Sequence, residues 1–191
     1  MSNLKCVSRK GAYGLERAEN SNIPTSYHNL LSYKKRHAQT PEGEQTARAE
    51  YDADLATLIL SREERPHVIV CAGWMHIFTS SFITPINTRG IQIINLHPAL
   101  PNDIVGANAI QRAWEEGRQG KRKATGVMVH ELIVDLDAGS PIVVQEVEIR
   151  EGESLGGLEE RIHKVEHKLI VEGTRKVIES VPRLGEGDKE V

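Results

Sequence analysis

The sequence predicts an α/β domain with a mostly parallel sheet and helices on both of its faces. The apolar runs His67–Gly73 and Gly90–Asn95 have the β-branched character of buried strands, and helical patterns alternate with them. From Ser154 onward, Leu155, Leu158, Ile162, Val165 and Leu169 keep the 3–4 spacing of a long helix lying on a sheet. The second apolar run ends in Asn95-Leu96-His97-Pro98, so polar side chains fall at the carboxyl end of a strand. Open α/β sheets bind their ligands at those ends.

The elements follow in order. Leu4–Ser8 reads as a short strand, Gly14–Glu19 as a helix ended near Asn20-Ser21-Asn22, and Ile23–His28 as a second short strand. Residues 32–40 are polar and basic, and read as a loop. Thr40-Pro41 combines an N-cap with proline at the first helical position, so a helix follows between Pro41 and Ser61. Leu55, Leu58 and Ile59 form its buried face. His67–Gly73, bounded by Pro66, reads as a fully buried parallel strand. A short helix over Ser80–Ile86 leads to the strand ending at Asn95. Ala107–Glu116 is helical, with Ile110 and Trp114 four apart. Ala124–Leu132 and Pro141–Ile149 alternate as strands, the second an antiparallel excursion, and their link holds Asp137. Without repeats or linkers, residues 1–182 read as a single domain and 183–191 as a polar tail.

Composition narrows the function. Hydrophobic residues make up 39% and charged residues 27% of 191, the balance of an ordinary globular chain. A net charge of −3 carries no electrostatic footprint for nucleic acid or an anionic membrane. Lys34-Lys35-Arg36 and Lys121-Arg122-Lys123 read as solvated loop charges. Cys6 and Cys71 lack CxxC spacing and read as buried, reduced thiols. The longest apolar run, Val68–Met75, is far too short to span a bilayer, and the expected location is the cytoplasm.

Asn95 and His97 are two residues apart and share one side of an extended segment. An imidazole can move a proton, and a carboxamide beside it can hold an oxyanion. Asp135-Leu136-Asp137-Ala138-Gly139-Ser140-Pro141 adds a carboxylate on a turn. Together these types suit acyl or formyl transfer. The plainer readings are a satisfied structural histidine at His97 and a turn aspartate at Asp137.

The chain resembles the phosphoribosylglycinamide formyltransferases from about Val7 to Val177. The likeness rests on Ala12–Ala18, Ala72-Gly73-Trp74-Met75, Asn95–Pro101, Gly126–His130, Asp135–Gly139 and Glu166-His167, in that order and spacing. It implies the Rossmann-like formyltransferase fold and formyl transfer from 10-formyltetrahydrofolate to the amine of N1-(5-phosphoribosyl)glycinamide, in purine synthesis and without metal. His97 is then the proton donor, Asn95 the oxyanion stabiliser, and Asp137 the carboxylate orienting His97 or a water. Reduced-folate contacts map onto Arg48, Met75, His76, Ile77, Phe78 and Asn95, with Ile133, Val134 and Asp135 walling the pteridine pocket. The plainer readings here are a solvated Arg48 and a purely core role for Met75–Phe78. The glycinamide ribonucleotide contacts are Glu166, His130 and Asn108. Neither nucleic acid nor membrane is an expected partner, and a homodimer is left open.

Three departures stand beside the likeness. His76 occupies a place where the family usually has arginine, and Asn108 one where many relatives have histidine, whose role then shifts to His130. The family also opens with a strand and a phosphate-binding Gly-Ser-Asn-Leu turn, and this chain starts after that first βα unit. A gap is therefore expected between Leu4–Ser8 and His67–Ala72, in a weakened or inactive truncated form. Three alternatives remain: another 10-formyltetrahydrofolate enzyme, a silent folate-binding remnant, or an H-x-x-E-H zinc motif at His163–His167.

Overall fold

The computed structural model describes the backbone of Lys5–Val7 and residues 11–180. Along the chain run β1 (Lys5–Val7), α1 (Tyr13–Asn20), β2 (Thr25–Tyr27), α2 (Leu30–Lys34), α3 (Pro41–Leu60) and β3 (Val68–Cys71). There follow α4 (Ser80–Asn87), β4 (Gln92–His97), α5 (Ala109–Arg118), β5 (Ala124–Glu131), β6 (Pro141–Glu148) and α6 (Leu155–Ser180). The chain divides into two compact units, Met1–Pro66 with Ile77–Ile91, and His67–His76 with Gln92–Val191.

In the first unit β1 and β2 pair in parallel, and α3 packs against α2 and α4. Thr40 caps α3 by accepting the Gly43 N–H, and Pro41 sits at its start, as the Thr-Pro pair predicts. Leu55 and Ile59 are buried as expected, and Ala47, Tyr51, Asp52 and Ala56 join them. Asp52 is the unforeseen one. A fully buried carboxylate needs donors, and its Oδ2 accepts the Thr79 N–H at 2.6 Å, at the head of α4. The loop expected over 32–40 is partly helix. Asn29 caps α2 through the Leu31 N–H, and Tyr33 buries its ring and donates its hydroxyl to Asp54 at 2.7 Å. Tertiary burial of Tyr33 overrides the polar pattern around it.

The second unit is a four-stranded sheet in the order β3-β4-β5-β6. β3 and β4 are parallel, and β4–β5 and β5–β6 are antiparallel. The short link from β5 to β6 permits only an antiparallel neighbour, since parallel strands need a long crossover. One face packs on α6. Ile94, Val127, Val129, Val143 and Val147 meet Leu158, Ile162, Leu169 and Val177, all buried. Each such side chain contributes about 1.5–3 kcal/mol. Gly173 allows the approach, because a Cβ there would lie 2.8 Å from Val129 Cγ1. The reading of His67–Gly73 as fully buried is corrected. Among the described residues β3 has β4 on one side only, and Val70 is 38% exposed. β1 and β3 are not paired among the described residues. The expected polar tail and Cys6 lie outside what is described; Cys71 is a buried free thiol.

Candidate active site

Strand register builds the site. Cys71 pairs with Asn95, and Asn95 with His130, so these residues form one row across β3, β4 and β5. His97 follows on the same face, opposite Met128. The β5–β6 register shifts between Val129 and His130, an irregularity of the kind that re-aims a side chain. Asn95 Nδ2 and His130 Nε2 are 3.3 Å apart. His97 Nε2 lies 2.7 Å from the Ile104 carbonyl oxygen and 3.7 Å from Asp137 Oδ2. Asp137 Oδ1 is 3.6 Å from His130 Nε2. Asn95, His97, His130 and Asp137 are thus brought together, and Asp137 stands between two histidines.

A carbonyl oxygen only accepts, so His97 Nε2 carries the proton it donates to Ile104. Nδ1 is the ring atom left for exchange. Burial by itself would raise the Asp137 carboxyl. A hydrogen bond from His130 when its Nε2 is protonated, the Gly106 N–H donated at 2.9 Å, and the charges that His97 and His130 then carry outweigh it and hold Asp137 below the usual carboxylate range. The site therefore keeps a carboxylate beside an imidazole that can be charged. Burial pushes the Cys71 thiol up to about 12, leaving it neutral in the row.

Two local devices hold Asp137. Its φ is 53°, a left-handed conformation that Asp tolerates better than most residues. Gly139 then passes so close to β5 that a Cβ would stand 1.8 Å from the Glu131 carbonyl oxygen. The loop after Pro98 is fastened equally firmly. Arg122 forks onto Asp103 at 2.5 and 2.7 Å and reaches Glu116 at 2.8 Å, and Arg112 donates to the Val105 carbonyl at 2.9 Å. Lys121 and Lys123 are exposed as expected, but the reading of Arg122 as solvated is corrected: its side chain is 18% exposed and paired with the partly buried Asp103 and Glu116. In the other basic cluster Lys34, Lys35 and Arg36 are all exposed, as expected, with Lys34 paired to Glu44 and the Arg36 guanidinium over the Tyr33 ring.

Glu166 on α6 is mostly buried. Burial raises its carboxyl, while His163, His167 and His97 pull it back, so it lies within electrostatic reach of His97. Asn108 is exposed at the head of α5 with φ 58° and no side-chain cap bond. That left-handed position accounts for an asparagine there. Ile133, Val134 and Asp135 are exposed on the Asp137 loop. Met75 is 80% exposed, and His76 meets Trp74 edge to face. In the first unit Arg48 donates to the Ile77 carbonyl at 2.8 Å, and Phe78 is buried in a stack on Phe82. Phe78 thus offers a ligand only its backbone. Among the described residues no group of three or more His, Cys, Asp or Glu is arranged to hold a metal ion, and no helix is long and apolar enough to cross a membrane.

Sequence reading missed the Ile104 carbonyl, the Gly106 N–H and the Arg122 fork. The first two are backbone groups and leave no trace in residue type. For Arg122, acidic partners at Asp103 and Glu116 were visible but their proximity was not. Gly139, next but one after Asp137, carried the only local hint.

A carboxamide, two imidazoles and a carboxylate converge at the end of a strand in an α/β sheet, a set of groups suited to group transfer. The chain belongs to the formyl transferase family, whose pattern matches residues 4–174. It is similar to the phosphoribosylglycinamide formyltransferase of Schizosaccharomyces pombe, 48% identical over 171 residues, covering 90% of this chain and 79% of that one. The enzyme of the same name from Saccharomyces cerevisiae is 42% identical, with 91% and 81% covered. The crystal structure of phosphoribosylglycinamide formyltransferase from Campylobacter jejuni superposes with a TM-score of 0.72 at 28% identity, over 92% of this chain and 80% of that one.

Proposed function

We propose that this protein transfers the formyl group of 10-formyltetrahydrofolate to the amine of N1-(5-phosphoribosyl)glycinamide, in purine biosynthesis, with Asn95, His97 and Asp137 as its catalytic residues. The observation that carries this reading is the placing of His97 Nε2 between the Ile104 carbonyl and Asp137, with the Asn95 carboxamide two residues away on the same face.

The substrate amine attacks the formyl carbon, a C–N bond forms, and the formyl oxygen becomes an oxyanion. Asn95 donates an N–H to that charge; one such donor is worth about 3–4 kcal/mol. The attacking nitrogen then loses a proton and the departing folate nitrogen gains one as its C–N bond breaks. His97 carries that proton at Nδ1, since Nε2 is engaged, and an imidazole can accept and release a proton in turn. Asp137 steadies the imidazolium.

The exposed apolar side chains Ile133 and Val134 beside this carboxylate suit the flat face of a pteridine. We assign the reduced folate to them, to Asp135, to Met75 and His76, and to Arg48 with the Ile77–Phe78 backbone. We assign the ribonucleotide to Glu166, Asn108 and His130. Residues 1–182 are read as one formyltransferase domain; the family match includes parts of both compact units. A cytoplasmic location and the absence of nucleic-acid or membrane partners accompany this reading. The test is a formyl-transfer assay with the two purified substrates. Formylated glycinamide ribonucleotide is the expected product, and its absence under saturating substrates overturns the reading.

A further inference from the structure

We propose that His130 is a positioning residue: held as the neutral Nδ1–H tautomer, it sets which way the Asn95 carboxamide faces, and its protonation reverses that setting. This deepens the formyl-transfer reading and rests on it.

His130 is 1% exposed, so protein atoms and not bulk water decide its tautomer. Its Nδ1 lies 2.8 Å from the Glu131 carbonyl oxygen. A carbonyl only accepts, so Nδ1 carries the proton. In the neutral ring Nε2 is then a lone pair, and the atom 3.3 Å from it is Asn95 Nδ2. An amide nitrogen only donates, so the two assignments agree. Asn95 is thereby fixed with its nitrogen toward β5, and its second N–H has no other hydrogen-bond partner among the described residues. The opposite orientation would put the carbonyl oxygen in that place, where it would repel a developing oxyanion.

Protonation turns Nε2 from acceptor into donor. Two acceptors then compete for it: Asn95 Oδ1, once the amide has turned, and Asp137 Oδ1 at 3.6 Å. The first outcome misdirects Asn95, and the second draws Asp137 away from His97, whose Nε2 is 3.7 Å from Oδ2. Either way the site loses an arranged partner. The titratable groups around His130 are Asp137 on the following loop and His97 on β4, its ring centre 6.4 Å away. Beyond them stand Asp135 on the same loop, Glu166 of α6 within reach of His97, and the neutral thiol of Cys71 two strands along the row. Glu131 points its side chain to Gln92.

The test joins nitrogen-15 NMR of the full chain, labelled in its histidines, to the kinetics of two variants. The His130 signals are those lost in His130→Gln. At about pH 8 the expected pattern is a protonated Nδ1 and a bare Nε2, with imidazolium appearing on acidification in step with falling kcat. His130→Ala is expected to lower kcat about a hundredfold while the KM for the folate stays within about threefold. In His130→Gln the side-chain carbonyl can take the place of Nε2 without titrating; it is expected to recover at least about tenfold of that loss and to lack the acidic limb of the pH profile. An Nε2–H tautomer or an imidazolium at that pH overturns the proposal whatever the activity. So does His130→Ala with undiminished kcat, whatever its nucleotide KM. The tautomer is read on the unaltered chain, so it decides the matter even where a variant fails to fold. If the unaltered chain yields no formylated product, the functional reading has failed, and the NMR pattern reports on His130 separately.

Discussion

At the scale of single residues, the site is an exercise in matching donors to acceptors. Every acceptor around the two buried histidines is a carbonyl or a carboxylate, so each ring has one nitrogen whose protonation is dictated. Replacing His97 or Asp137 with alanine is expected to cut turnover by at least about a hundredfold, measured as kcat with both substrates saturating. A near-normal rate in either variant removes its assigned role. Glu166 makes a thermodynamic prediction. Its folded value is raised by burial, so its contribution to stability is fully present below its unfolded value of about 4.3. That contribution is lost as pH rises through the folded value. Glu166→Gln should therefore gain in urea midpoint relative to the unaltered chain between about pH 4 and pH 7, and match it in acid. A constant gap across that window would show that burial does not govern this carboxyl.

At the scale of elements, the loops around the candidate site are held by contacts outside the strands. The Arg122 fork onto Asp103 and Glu116 ties the loop after Pro98 to the end of α5. Removing it in Arg122→Met should cost about 2 kcal/mol in equilibrium unfolding. It should also raise the mobility of the segment that carries the Ile104 carbonyl and the Gly106 N–H. Unchanged hydrogen exchange at Gly106 would mean that the ion pairs are ornamental. Gly139 is a sterner case. An alanine Cβ would stand 1.8 Å from the Glu131 carbonyl oxygen, a distance no side chain tolerates, so the backbone must move. Gly139→Ala is expected to lower kcat as strongly as Asp137→Ala with near-native circular dichroism, because the displaced segment is the one that aims Asp137. Full activity in that variant would refute the steric account.

At the scale of the whole molecule, the second unit depends on the face of its sheet that α6 covers. Leu158 and Ile162 are fully buried against β-branched side chains that cannot easily collapse into a void. Leu158→Ala is expected to cost about 2–5 kcal/mol, read from chemical denaturation. A loss below about 1 kcal/mol would show that this face is not the core of the unit.

Much of this was legible in the chain itself. The helix over Pro41–Leu60 announced itself through Thr40-Pro41, and α6 through its 3–4 apolar spacing, because caps and periodicity are local properties written in neighbouring residues. Asn95, His97 and Asp137 were legible for the same reason: their chemistry is in their side chains and their strand-end context is short-range. Tertiary structure alone decided what depends on residues distant in sequence. It left β3 with β4 on one side only among the described residues, drew residues 30–34 into a helix through the burial of Tyr33, and turned Arg122 into a clamp. It also seated His130 between Asn95 and Glu131 and set the Ile104 carbonyl against His97. A backbone carbonyl is the same in every residue, and a register is a relation between strands. Neither has a letter in the sequence, so both had to wait for the fold.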